Sequence, residues 1–519
     1  MDDRPEDVPI EMDHARRQQK QRIINKALQR MSFLLCRAIT ANRCDIDQVT
    51  IDILPDDVLL EIFCHYVAET DKDGKYERWQ RLVHVCQKWR YVVSRSPLRL
   101  NLQIICSART PVMKKLSVWP ALPIIIQKDS LTTSSRGEDN FIAALEHVDP
   151  SRVCAVHLAI TNDRVLMPMQ KTYVALKGLA IVAYEKAVIP DSFLGGSAPH
   201  LRHLWLAHVQ FPFPVLRKLL LSTPNLVILT LRHIPHSGYF SPEAMVTCLS
   251  ALTRLKYLSI GFESPRSRPP QEGRHPPPTR SVLPALIEFT FFGVSEYSEN
   301  LVTWIDAPLL NHLRITFFHQ LIFDTPQLAQ FISRTPKLNS YDEARVIFSD
   351  SRATIALPGR DNLGLQLEIL CKPSDWQLSS LEQVCTLSFP QTLILKVEHL
   401  YMLILEDIMD ISLRPPQQGE DDLENNQWLE FFHPFTTVMN LYLSREFVPR
   451  IAPMLQELVG ERVPEVLPSL QSIFLEDFQG SELVTIPEAM RQFITVRQLS
   501  SHPIAISPWT RKDHWKIIY

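Results

Sequence analysis

Residues 198–231 read APHLRHLWLAHVQFPFPVLRKLLLSTPNLVILTL. Leu201, Leu204 and Leu206 are spaced three and then two residues apart, and Leu226, Leu229 and Leu231 repeat that spacing. The alternation at the end of each trio is that of a strand with one buried face. Between the trios, Pro214-Val215-Leu216-Arg217-Lys218-Leu219-Leu220-Leu221 opens on proline after a break, as short helices often do. One strand and one helix cannot cover their own apolar surface, but a stacked copy can, so the unit predicts a row of copies.

Further copies lie on both sides. Val153-Val156-Leu158, Leu176-Leu179-Ile181, Leu255-Leu258-Ile260, Leu286-Phe289-Phe291 and Leu310-Leu313-Ile315 follow the same pattern. Later members are Val384-Leu387-Phe389, Val397-Leu400-Met402, Val438-Leu441-Leu443 and Leu470-Ile473-Leu475. The first seven lie 23 to 31 residues apart. A proline lead-in recurs at Pro199, Pro224, Pro284, Pro308 and Pro468, setting the backbone at the point of entry to each strand. A second helix is predicted at Pro242–Leu249. The region 150–519 thus resembles a leucine-rich-repeat domain, with one departure. The ninth repeat position, which in that family carries Asn or Cys, is Val209, Ile234, Glu263, Val294 and Phe318. The resemblance therefore implies an irregular solenoid. A doubly wound parallel sheet would share the alternation but lacks its glycine-rich first turn here. Proline-rich 263–284 and acidic 414–427 are predicted as surface loops, and the carboxyl end from Gln492, with Trp509 and Trp515, as a cap on the last repeat.

At the other end, residues 54–68 read LPDDVLLEIFCHYVA and residues 79–98 read WQRLVHVCQKWRYVVSRSPL. Pro55 suits a first helical turn, and Asp56 and Asp57 the positive end of the helix dipole. Val58, Leu59, Ile62, Phe63 and Tyr66 then form one apolar stripe, and Leu82, Val85, Cys86, Trp89 and Val93 predict a second. So small a helical unit leaves much apolar surface exposed, which suggests a partner. The Leu54-Pro55 opening, the Ile62-Phe63 pair and the Val85-Cys86-x-x-Trp89 step are similar to an F-box. That resemblance implies docking on the Skp-type adaptor of a cullin-RING (SCF) ubiquitin ligase through Leu54, Pro55, Val58, Leu59, Ile62, Phe63, Cys86 and Trp89. A polar insert, 69–78, partly replaces the family's usual middle helix.

The expected organisation is α/β: an acidic disordered start (1–13), an amphipathic helix (14–46), the F-box helical unit (50–98), connecting strands and loops (99–149) and the repeat solenoid (150–519). In 14–46, Ile24, Leu28, Met31, Leu35 and Ala38 form a heptad-like seam too short for a confident coiled coil; packing on the F-box is the reading preferred to dimerisation. Strands are expected at Leu98–Ile104 and Trp119–Ile126, and a polar loop at Asp129–Asp139. The use of Trp119-Pro120 before repeats resembles the expanded F-box families of mushroom-forming fungi.

With 54 Lys and Arg against 57 Asp and Glu, the formal net charge of -3 gives no basic excess for nucleic acid or an anionic membrane. Nine scattered cysteines fit a reducing compartment. No apolar segment is long enough to span a bilayer, and MDDRPEDVPIEMD is unlike a presequence; cytoplasm or nucleus is expected. Glycine is scarce at 14 and proline abundant at 39. No GxGxxG, Walker-type loop, Gly-x-Ser-x-Gly, HExxH or CxxC occurs. His84 and Cys86 would point to different faces of a helix, and the histidines from His200 to His236 announce no third ligand for a metal. The expectation is a non-catalytic adaptor without cofactor or metal, binding the adaptor through the F-box and an unidentified target protein through the repeats. The alternative is a non-degradative interaction scaffold on the same solenoid.

Overall fold

The computed structural model describes residues 54–68, 79–97, 99–100, 102–107, 116, 122–127, 135–161, 163–268, 279–339, 341–349, 351–359, 364–371, 378–404, 421–457, 466–476, 488–499 and 503–510. The expected disordered start, the 14–46 helix, the 69–78 insert and Trp119-Pro120 lie outside these residues. The chain divides at Leu102/Gln103 into two compact units.

In the first unit, Asp56–Ala68, Trp79–Val83 and Gln87–Arg95 are helices. The second apolar stripe is not one helix, as the sequence pattern predicts. The chain breaks after Val83, and Cys86 takes an extended backbone to cap the last helix, its Sγ accepting from Trp89 N at 3.5 Å. Lys88 Nζ donates to Leu54 O at 2.7 Å and Arg90 Nε to Val83 O at 3.0 Å, tying the short helices together.

The second unit is built on a sheet of sixteen described strands. In chain order the strands of the unit are β1 (Ile104–Cys106), β2 (Ile124–Gln127), β3 (Val153–Ile160), β4 (Gly178–Val188), β5 (His203–Gln210), β6 (Ile228–Ile234), β7 (Tyr257–Phe262), β8 (Ser281–Val282), β9 (Glu288–Gly293), β10 (Ile305–Asp306), β11 (His312–Phe317), β12 (Glu343–Ser349), β13 (Arg352–Pro358), β14 (Gly364–Leu370), β15 (His399–Ile404), β16 (Asn440–Leu443), β17 (Ser472–Glu476) and β18 (Ala505–Trp509). Strands β8 and β10 pair separately. The large sheet runs β1 to β7, β9, β11, then β14-β13-β12, then β15 to β18. Its pairs are parallel except β12 with β13 and β13 with β14, so β13 alone points the other way.

The leucine trios set the register. Leu179, Leu204, Leu229, Leu258, Phe289, Leu313 and Leu365 pair as successive rungs, and Ile181, Leu206, Leu231, Ile260, Phe291, Ile315 and Leu367 form the next. All are buried. Burying a side chain of this size favours folding by roughly 1.5–3 kcal/mol, and each rung is completed only by the repeats on either side. The proline lead-ins make a recurrent turn in which Leu201, Leu226, Leu286, Leu310 and Leu470 N–H donate to the carbonyls of Ala198, Thr223, Leu283, Ala307 and Leu467. Proline follows the acceptor in each case, as at the second position of a β-turn. Apolar residues replace the Asn or Cys of the ninth position: Val209, Ile234, Val294 and Phe318 are buried.

Helices Phe213–Leu221, Pro242–Leu249, Ser295–Thr303 and Pro326–Arg334 alternate with the strands and pack on one another in order. Neighbouring repeats are also coupled by a side chain. The buried Glu299 accepts from Gln327 N at 2.9 Å and Leu328 N at 2.7 Å, so one helix supplies the anionic cap for the next.

Several sequence expectations need correction. Strand β1 starts at Ile104, whereas Arg99 and Leu100 are in a turn. β1 and β2 are members of the same large sheet. The helix Ser135–His147 overlaps the predicted 129–139 loop, burying Phe141, Ala144 and Leu145. Val384-Leu387-Phe389 is no strand: Val384–Ser388 is a π-helical turn with Leu387 exposed. Part of the 414–427 loop is the start of the helix Asp421–Phe432, anchored by the buried Trp428. The 263–284 loop ends early, because Ser281–Val282 pairs with Ile305–Asp306 and Leu283 is buried.

Candidate functional site

Two surfaces carry candidate interaction chemistry, one in each unit. In the helical unit the eight residues singled out from sequence have different placements. Leu59 and Phe63 are fully buried, and the Phe63 ring lies 4.7 Å from that of Trp89. They form the interior of the unit and are not surface contacts. Leu54, Val58, Cys86 and Trp89 are half-buried, and Pro55 is exposed. Ile62 is 41% exposed and Val85 55%. The sequence pattern places Val85 in the buried stripe; the break between Val83 and Gln87 leaves it exposed instead. Of the apolar residues singled out from sequence, Pro55, Ile62 and Val85 are the exposed ones, and Tyr91 is exposed as well.

In the repeat unit, one face of the sheet carries the leucine rungs and the other is open. Parallel register places residues of the open face in transverse rows. One row runs Ala180, Trp205, Thr230, Ser259, Thr290, Arg314, Gln366, Ala356, Arg345, Tyr401, Tyr442 and Phe474. Trp205 is 46% exposed among small neighbours, with the Arg232 guanidinium 5.9 Å from its ring centre. Further along, the Tyr401 and Tyr442 rings stack at 4.1 Å and those of Tyr442 and Phe474 at 4.4 Å. Trp509 meets both tyrosines edge-on.

Between these aromatic groups lies a cavity of about 170 Å³, lined by residues of β11 to β14. Glu368, 2% exposed, sits among its lining residues. Arg352 Nη1 donates to its Oε1 at 2.7 Å, and Arg314 Nη2 lies 3.4 Å from its Oε2. On β12, Arg345 pairs with Glu343 of the same strand. His312 lies on the rim; burial holds its imidazole below the ordinary range against the pull of Glu288, and Arg314 lowers it further. Sequence reading missed this group because β13 and β14 match no leucine trio, so nothing in the repeat phase aligns Arg352 with Glu368.

Near the ends of β5 and β6, and not after them as the sequence suggests, His208 and His233 occupy equivalent positions. Both have left-handed backbones (φ 57° and 50°), and their rings stack at 4.2 Å. Parallel, face-to-face rings do not converge on one ion. Among the described residues no group of three or more His, Cys, Asp or Glu is arranged to hold a metal, and no helix is long and apolar enough to cross a membrane. Burial raises the Cys154 and Cys385 thiols and pushes Cys248 up to about 11, away from the thiolate form a nucleophile needs.

No family model and no curated protein matches the chain. Among solved structures, the leucine-rich repeat-containing protein LegL7 from Legionella pneumophila is similar over 73% of this chain and 98% of that chain, with 13% identity and a TM-score of 0.27.

Proposed function

We propose that the chain is the substrate-recognition subunit of an SCF-type ubiquitin ligase: the helical unit holds a Skp-type adaptor, and the open face of the repeat sheet holds a target protein. The observation that carries this reading is the helical unit itself. The segments LPDDVLLEIF and VCQKW belong to a unit of three short helices, with Phe63 packed on Trp89 and with Pro55, Ile62 and Val85 left exposed. Pro55 and Ile62, seven residues apart, fall on one side of the helical segment and would offer an adaptor groove apolar contacts. The chain then acts by proximity. The ligase's conjugating enzyme performs the transfer, and this subunit raises the local concentration of the target's lysines. It needs no cofactor and contributes no catalytic group.

Coexpression with a Skp-type adaptor and a cullin tests this. Ile62→Asp and Val85→Asp, placed on the surface, should each weaken adaptor capture at least tenfold while thermal unfolding stays near wild type. Phe63→Ala should fail by unfolding the unit. Undiminished capture by the double surface variant overturns the assignment, and capture of adaptor without cullin points to the non-degradative scaffold.

A further inference from the structure

We propose that the cavity over β11–β14 is the receptor for an oxyanion on the target polypeptide, with the neighbouring aromatic strip taking an apolar side chain of the same segment. This rests on the reading that the open face binds a target. Guanidinium groups present five N–H donors in a planar fork that matches carboxylate and phosphate oxygens. Arg314 and Arg352 each direct one nitrogen at Glu368, and neither makes another side-chain hydrogen bond among the described residues. The remaining donors are free of protein acceptors there. Glu368 sits beneath them at 2% exposure while Arg352 is 52% exposed, so the negative charge is covered and the positive charge faces outward. One carboxylate against two guanidiniums leaves a formal excess of one cation, and the Arg345–Glu343 pair adds none. Thr354 adds a hydroxyl to the lining. A buried carboxylate also orients its two partners before any ligand arrives, which lowers the ordering cost of binding.

Small residues, Ala356 and Gly364, line the same cavity. The row then passes from Arg345 to Tyr401, Tyr442 and Phe474. Tyr442 and Phe474 are half-buried and stacked, a flat apolar platform three to four strands from Arg352. Arg352 stands four residues along its strand from Ala356 of the row, so at roughly 4.8 Å per strand and 3.3 Å per residue the separation is about 20–23 Å, the reach of about six to seven extended residues. The fitting partner is an extended segment with an acidic or phosphorylated side chain and an aromatic or aliphatic one about that far apart.

The test uses the full chain and four fluorescein-labelled decapeptides of Gly and Ser. Three carry Phe six residues after Glu, phosphoserine or Gln, and the fourth replaces Phe with Ser. Saturable binding of the Glu or phosphoserine peptide, at least tenfold tighter than the Gln peptide, is expected; whichever of the two is tighter identifies carboxylate or phosphate as the natural group. Arg352→Gln should weaken it at least tenfold, Arg352→Lys less, and Tyr442→Ala and loss of Phe several-fold, with thermal unfolding of each variant confirming the fold. Equal binding of the Gln peptide, insensitivity to Arg352→Gln, or preferential binding of a twelve-nucleotide single-stranded DNA overturns the proposal. Ile62→Asp should leave peptide binding intact, and Arg352→Gln should leave adaptor capture intact, so failure here is separable from failure of the ligase reading.

Discussion

His233 illustrates how much a single residue's setting differs from its sequence neighbourhood. It has a left-handed backbone near the end of β6, where the register with β7 shifts, a conformation that His tolerates better than most side chains, and its ring stacks on His208. Burial lowers its affinity for a proton; His208 and Arg232 lower it further, and Glu263 opposes them. The folded state thus binds the proton less well than the unfolded chain, whose imidazole has the ordinary 6.5. Its neutral form is complete well above that value, and stability is lost as pH falls below about 6.5. His157, His203 and His312 are shifted in the same direction. Urea unfolding between pH 7.5 and 5.5 should show stability falling with acidification, and falling less steeply in His233→Asn, which keeps a side chain suited to the turn. Identical slopes would remove His233 from this account.

At the scale of elements, the join between repeats is made by more than leucines. Glu299, on Ser295–Thr303, receives the two leading N–H groups of Pro326–Arg334. Glu299→Ala should destabilise the protein by on the order of 2–3 kcal/mol, since hydrogen bonds to a charged acceptor are lost and buried donors are left unpaired. Glu299→Gln should cost roughly half that, and chemical denaturation measures both. The elements also mark where sequence was legible. Leucine trios located β3 to β7, β9, β11 and β15 to β17, because a residue on a parallel strand with one buried face must be apolar every second place. Pro242–Leu249 was found with its bounds, and Phe213–Leu221 within one residue, because proline marks a helix start. Val384-Leu387-Phe389 has the trio spacing, but Val384 and Leu387 lie in a helical turn; two intervals of three and two do not distinguish a strand from such a turn. Asp421–Phe432 was hidden by its acidic first turn. The Arg352–Glu368 pair was invisible, because it depends on a hairpin whose register no periodic pattern announces.

Across the repeat unit as a whole, each strand is held mainly by the strand on either side and the helices behind, so stability should accumulate by nearest-neighbour steps. Amide hydrogen exchange along the large sheet should then be graded, slowest in β5, β6, β7 and β9 and fastest in β1 and β18, which have a partner strand on one side only. Uniform protection across the sheet would contradict that additivity. The helical unit should exchange independently of this gradient, since it folds around its own Phe63 and Trp89.

The reversed order β11-β14-β13-β12-β15 bears on how the protein is born. As the chain leaves the ribosome, each strand of the main sheet through β11 can join the edge left by the one before. β12 cannot, because its neighbours, β13 and β15, have not yet been translated. The edge of β11 waits for β14, and is closed only after Leu370 has emerged. Growth by accretion therefore halts at Phe317 and resumes with a preassembled three-strand block, leaving a nascent intermediate whose open edge is the point most in need of a chaperone.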